Sequence, residues 1–248
     1  MVAMRARALA APFLLALLAA CSVRNAACGT PAQQASREAA GPAAAATSSG
    51  GEPAKIRVVF LGDSVTAGLG LLTAEAYPAL IQEKFTAEGY REIEVVNAGV
   101  SGETTAGGKR RLEALLDREV KILVIALGGN DALRALTPSD TKANLAAIID
   151  AAEAKSVSVL LVGMQAPPNL GDDYPRQFSA VFGELAIAYK DSIQYLPFLL
   201  EGVGGHPELN QADGIHPTAE GQRIIADLLY PKLRILADQA LGGRRGGE

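Results

Sequence analysis

Five short runs rich in β-branched residues, set apart by stretches of helical spacing, constrain this chain more than anything else in it. They cover residues 56–61 (IRVVFL), 93–96 (IEVV), 121–127 (KILVIAL), 157–162 (VSVLLV) and 193–198 (IQYLPF). Their apolar character is nearly continuous rather than alternating, as in parallel strands covered on both faces. Between them, apolar residues recur at helical intervals. Residues 78–88 carry Leu80, Ile81 and Phe85 on one face, with Gly89 as a stop; 109–118 carry Leu112, Leu115 and Leu116. Residues 139–155 carry Leu145, Ile148 and Ile149, a further helix spans 174–190, and 218–239 carries Ile224, Ile225, Leu228, Leu229 and Leu233, with Pro231 where a kink can form. Strand–helix alternation repeated five times predicts one α/β domain, a three-layer α/β/α sandwich on a five-stranded parallel sheet with right-handed crossovers. Chemistry in such sheets gathers at the carboxyl ends of the strands.

Composition narrows the function classes. Hydrophobic residues make up 49% of the 248 and charged residues 20%, enough apolar material for a full core. No uncharged apolar run approaches the roughly 20 residues that span a bilayer. Once the four Arg and two Glu of residues 1–53 are set aside, 19 basic and 25 acidic side chains remain, a balance with no general attraction for nucleic-acid phosphates. Two Cys and two His, neither pair at zinc-cluster spacing, carry no expectation of a four-ligand Cys/His zinc cluster.

Residues 1–53 read as an address and a tether. Arg5 and Arg7 precede an uncharged apolar stretch over 8–20 that ends in small residues, the order of a secretory signal. The junction Leu18-Ala19-Ala20-Cys21 resembles the bacterial lipoprotein signal, in which Cys21 becomes the lipidated first residue of the mature chain. Ordinary secretory cleavage nearby is the alternative, and would leave a Cys21–Cys28 disulfide open. From Arg24 to Lys55 there is no Val, Ile, Leu, Met, Phe, Tyr or Trp, so nothing there offsets the entropy of ordering it. The expected organisation is a signal over 1–20, a disordered tether over 21–53, a folded domain over 54–240 and a disordered tail over 241–248. The domain is then exported and held by lipid on Cys21 at a membrane, facing the periplasm or cell exterior of a bacterium.

Four segments at the ends of the expected strands carry candidate chemistry. The first strand runs into Gly62-Asp63-Ser64-Val65-Thr66, where a Ser at a strand-to-helix turn either displays its hydroxyl at the sheet edge or caps the helix. Position 66 is Thr, so this is not a Gly-x-Ser-x-Gly elbow. The second strand leads into Gly99-Val100-Ser101-Gly102-Glu103-Thr104, and the third into Gly128-Gly129-Asn130-Asp131. Each is either a plain turn or a source of amide donors for an oxyanion. Before the last helix, Asp213 stands three residues ahead of His216, so one short loop presents an acid and a base together. His206 has no acid at that spacing and reads as a loop or surface residue.

The four segments, in this order, resemble the SGNH or GDSL-type hydrolases, and within them the bacterial arylesterase and thioesterase I/lysophospholipase group. The resemblance covers nearly all of 56–236 and implies a flavodoxin-like fold and a serine esterase. It implies Ser64 as nucleophile, Asp213 and His216 completing a triad, and an oxyanion hole from the Ser64 and Gly102 amides and the Asn130 side chain. The implied substrates are aryl esters, short- to medium-chain acyl esters, lysophospholipids or thioesters, hydrolysed through an acyl-enzyme on Ser64 with no metal or organic cofactor. The alternatives are a carbohydrate O-acetylesterase and, from another class, a non-catalytic binding lipoprotein. A nucleotide-binding domain lacks its phosphate cradle here. In the loop 164–171, Pro167-Pro168 stands where the family carries a Leu-Pro pair, so acyl-length preference does not carry over. Leu69, Leu71, Leu72 and Tyr174 are candidate pocket-lining side chains, with ordinary packing the alternative.

Overall fold

A computed structural model describes residues 55–243; the expected signal, Cys21, the tether and residues 244–248 lie outside them. Five strands, β1 (Ile56–Gly62), β2 (Ile93–Gly99), β3 (Val120–Ala126), β4 (Ser158–Val162) and β5 (Ile193–Leu196), form one parallel sheet in the order β2-β1-β3-β4-β5. The helices are α1 (Ser64–Ala67), α2 (Tyr77–Ala87), α3 (Thr105–Leu115), α4 (Gly129–Leu133), α5 (Pro138–Ala154), α6 (Asp173–Ala188) and α7 (Ala219–Ala240). α2 packs against α7 in one layer, while α3, α5 and α6 pack side by side in the other. The sandwich is the expected one. Its interior is apolar to the last atom along the central strands: Phe60, Leu61, Ile122, Leu123 and Val124 are wholly buried. Full burial of such a side chain is worth about 1.5–3 kcal/mol, so these strands form the frame to which the loops are fastened.

Boundaries differ where capping or proline decides them. α3 begins at Thr105, not 109, because the Thr104 hydroxyl accepts from the Gly107 amide and caps the helix ahead of its first leucine. β5 stops at Leu196 because Pro197 has no N–H for a ladder. α7 is a single helix through Pro231, started by Thr218, whose hydroxyl accepts from the Gly221 amide at 3.3 Å. Among the described residues no helix is long and apolar enough to cross a membrane.

Register determines what meets at the top of the sheet. Gly62 pairs with Gly99 on one side and Ala126 on the other, so the segments leaving β1, β2 and β3 emerge together. The chain turns one way from β1 to β2 and the other way to β3, and the crevice at such a reversal is where open α/β sheets bind ligands.

Candidate active site

At that crevice the first turn of α1 places Ser64. The alternative of Ser64 as a cap is excluded by its neighbour: Asp63 occupies the cap, and its Oδ1 accepts from the Val65 amide at 3.1 Å. The Ser64 hydroxyl is thereby left for His216, whose Nε2 lies 2.8 Å from Ser64 Oγ. On the other side of the ring, His216 Nδ1 lies 2.6 Å from Asp213 Oδ2. Asp213 Oδ1 also accepts from the Ile215 and His216 amides, at 2.9 and 3.0 Å. These amide bonds, that of His216 first, with the imidazole next, hold the carboxyl well below the usual carboxylate range. The acid is therefore ionised wherever the imidazole is to be oriented and charged.

The histidine loop is fastened like a small hairpin. Asn210 bridges Pro217, the Gln211 amide donates to the His216 carbonyl at 2.7 Å, and the Gln211 side chain donates to the carbonyls of Pro217 and Leu69 at 3.0 and 2.8 Å. The last of these ties the histidine loop to the segment after Ser64. From below, Gln222 on the buried face of α7 donates to the Val65 carbonyl at 3.0 Å and accepts from the Tyr77 amide at 2.8 Å.

Gly102 and Asn130 line the same cleft as Ser64 and His216. Gly102 has φ +78°, a backbone shape that strains any residue with a Cβ, and its carbonyl accepts from Arg134 Nη2 at 2.9 Å. Asn130 Nδ2 donates to Asp63 Oδ2 at 3.3 Å. A carboxamide has two N–H groups, so that bond orients Asn130 and leaves it a donor for the cleft. Asp63 is nearly fully buried, and burial pushes its carboxyl up to about 6, against the Val65 amide, the His216 charge and the Asn130 amide. The next residue, Asp131, is also buried and accepts from the Thr105 amide at 2.9 Å and hydroxyl at 2.5 Å, tying α4 to the start of α3.

The cleft measures about 500 Å³ and is walled mainly by apolar side chains, among them Leu69, Leu133, Met164, Phe198 and Ile215. Of the four candidate lining residues only Leu69 reaches it. Leu72 is 72% exposed, the Leu71 amide closes a turn on the Gly68 carbonyl, and the Tyr174 ring stacks on Phe178 with its hydroxyl donating to the Leu136 carbonyl. The proline pair divides: Pro167 lines the cleft, whereas Pro168 opens a short 3-10 turn over Pro168–Leu170. His206 is an exposed loop residue whose Nδ1 lies 3.4 Å from Glu208. Asp63, Asp131, Gln222 and the Glu103–Arg111 pair were not singled out from sequence. Two of them left a signal: Asp63 occupies the cap position, and Gln222 shares a helical face with Ile225 and Leu229.

A hydroxyl, an imidazole and a carboxylate in line, with Gly102 and Asn130 lining the same apolar cleft, are the arrangement of a hydrolase that works through a serine hydroxyl, here on a flavodoxin-like sheet. The GDSL-like lipase/acylhydrolase family matches residues 60–224, more than half the chain. The esterase TesA of Pseudomonas aeruginosa is 45% identical over 180 residues, covering 72% of this chain and 88% of that protein. The thioesterase 1/protease 1/lysophospholipase L1 of Escherichia coli K12 is 36% identical over 182 residues, 73% of this chain and 85% of its own. Among solved structures, the psychrotrophic esterase EstA from Pseudoalteromonas sp., in a form inhibited by monoethylphosphonate, superposes with a TM-score of 0.66 at 32% identity, covering 72% of this chain and 96% of that one. The chain belongs to the GDSL-like lipase/acylhydrolase family, and it is a carboxylic ester hydrolase.

Proposed function

We propose that Ser64 is the nucleophile, His216 the general base and acid, and Asp213 the residue that orients and balances the imidazole. The observation that carries this reading is the unbroken line from Ser64 Oγ through His216 to Asp213, with contacts of 2.8 and 2.6 Å. As Ser64 Oγ attacks the ester carbonyl, its proton passes to His216 Nε2. The oxyanion is held by the amides of Ser64 and Gly102 and the side chain of Asn130. His216 then protonates the leaving alcohol, the carbonyl–alcohol bond breaks, and an acyl-Ser64 ester remains. Water gives a proton to His216 and attacks that ester; the acid departs and the proton returns to Ser64.

The apolar wall supports acyl groups of short to medium length over a sugar ring, which needs polar partners. Aryl esters, small acyl esters, lysophospholipids and thioesters fit that wall, and the relatives' names point the same way. The export signal and Cys21 support an enzyme held by lipid outside the cytoplasm, where acyl-CoA is not at hand. The phosphonate that inhibits the Pseudoalteromonas enzyme supports a serine nucleophile here. The test is hydrolysis of p-nitrophenyl esters of graded acyl length, with labelling by a fluorophosphonate. Ser64→Ala is expected to abolish both and leave the fold intact; turnover persisting in that variant would end the proposal.

A further inference from the structure

One guanidinium lies beneath the nucleophile turn and the Gly102 loop. Arg111, two turns into α3, donates through Nε to both carboxylate oxygens of Glu103 at 2.8 Å, and through Nη2 to Glu103 Oε2 as well. The same Nη2 donates to the Ala98 carbonyl at 2.6 Å and reaches the Gly62 carbonyl at 3.4 Å. Each contact belongs to a different part of the site. Gly62 ends β1 two residues before Ser64, Ala98 lies at the end of β2, and Glu103 directly follows Gly102.

The pair is not a surface ornament. The Glu103 side chain is 8% exposed and that of Arg111 24%, so water screens it far less than an exposed ion pair. Such a pair adds little net stability, yet breaking it on one side leaves a charge without its partner. Arginine suits the task because its rigid fork donates in several fixed directions, whereas an ammonium is a compact point charge on a flexible stem. α3 also makes room for the acid: a Cβ on Gly107 would stand 2.7 Å from Glu103 Cγ and 3.2 Å from its Oε1.

We infer that Arg111 and Glu103 are positioning residues that fix the Gly102 amide relative to Ser64, and so act on the tetrahedral intermediate and not on substrate binding. This inference rests on the function proposed above. An oxyanion donor works only within hydrogen-bond reach of the place where charge develops, and a displacement of about 1 Å can cost on the order of 100-fold in rate. Neither residue lines the cleft.

Two variants test it, Arg111→Lys and Gly107→Ala. The readouts are kcat per active site titrated with a fluorophosphonate, KM for p-nitrophenyl butyrate, and affinity for an alkyl boronic acid, whose tetrahedral adduct occupies the oxyanion hole. Titration of the parent at Ser64 is measured first and bears on the proposed function alone. In both variants kcat per titrated site is expected to fall about 10- to 100-fold with KM within about twofold. Boronate affinity is expected to fall by the same factor as kcat. Gly107→Ala keeps the guanidinium and displaces only Glu103, whose Cγ would lie 2.7 Å from the new Cβ; because turnover is counted per titrated site, any fraction of this protein that fails to fold does not enter kcat. Full kcat per titrated site in Gly107→Ala, a loss confined to KM, or a lower titrated fraction with normal turnover per site would each overturn the inference.

Discussion

Replacing Asp63 by Asn separates the charge of that side chain from its shape. Its carboxyl is 3% exposed, and burial lifts it from the ordinary 3.8 to about 6. A carboxyl whose native pKa lies above its unfolded value binds more protons in the folded state than in the unfolded one between about pH 4 and 6, so stability falls as pH rises through that window. Above it, the ionised group costs about 3 kcal/mol relative to the acid side. An asparagine carries no such charge, and its Oδ1 can keep the cap on the Val65 amide. Asp63→Asn is therefore expected to be the more stable protein at pH 8, by up to about 3 kcal/mol, or roughly 6–12 °C in melting temperature for a domain of this size. The advantage should vanish near pH 4. Turnover should move the other way. The carboxamide turns an N–H toward the Asn130 N–H that now meets an acceptor; that lost bond offsets part of the stability gain, by about 1–3 kcal/mol, and a displacement of Asn130 by about 1 Å can cost on the order of 100-fold in kcat. Melting curves from pH 4 to 8, with p-nitrophenyl butyrate turnover at pH 8, measure both effects. A melting difference that does not change with pH would refute the electrostatic argument, and full turnover would refute the orienting role.

Asn130→Ala removes one of the proposed oxyanion donors and should lower kcat about 100- to 1000-fold with KM little changed; initial-rate kinetics on the same ester would expose a loss in KM instead. Gln222→Ala strips partners from the Tyr77 amide and Val65 carbonyl, both buried. It should cost about 2–4 kcal/mol in urea denaturation, and a cost below about 1 kcal/mol would show that water replaces the carboxamide.

The sheet was legible because burial on both faces leaves a direct trace in sequence: Val58–Leu61 and Ile122–Leu127 have almost no polar interruption. The chemistry-bearing loops were legible because their residue types are rare in combination. Of two histidines, only His216 has an acid at a spacing one turn can use. What stayed hidden depends on partners far apart in the chain. Asp63 stands beside a serine that could itself cap the helix, and nothing local says that one of its oxygens takes the cap and the other meets Asn130, 67 positions away. Arg111 looks like any exposed helical arginine until β1 and β2 supply the carbonyls it bonds. Tyr174 went the other way. It was a candidate lining residue with ordinary packing as the alternative, but an aromatic hydroxyl seeks an acceptor when partly buried, and the Leu136 carbonyl supplied one outside the cleft.

Ser64 and His216 are 152 positions apart, which makes the last loop to be built the one that completes the site. The register of β1, β2 and β3 brings the segments that carry Ser64, Gly102 and Asn130 to one end of the sheet, since Gly62 pairs with both Gly99 and Ala126. None of that brings a base. The proposed base arrives only when α7 and the loop ahead of it dock, and a glutamine from each reaches the segment after Ser64: Gln222 of α7 on the Val65 carbonyl and Gln211 of the loop on the Leu69 carbonyl. Both contacts fall just after Ser64 in sequence, at one and five residues, so a shift of α7 and the loop ahead of it would pull on the short helix that carries Ser64. The proposed oxyanion donors thus depend on the sheet and on α3 beneath it, and the proposed base on α7 and the loop ahead of it. A variant that loosens α7 should leave inhibitor geometry at the oxyanion hole intact while lowering the reactivity of Ser64.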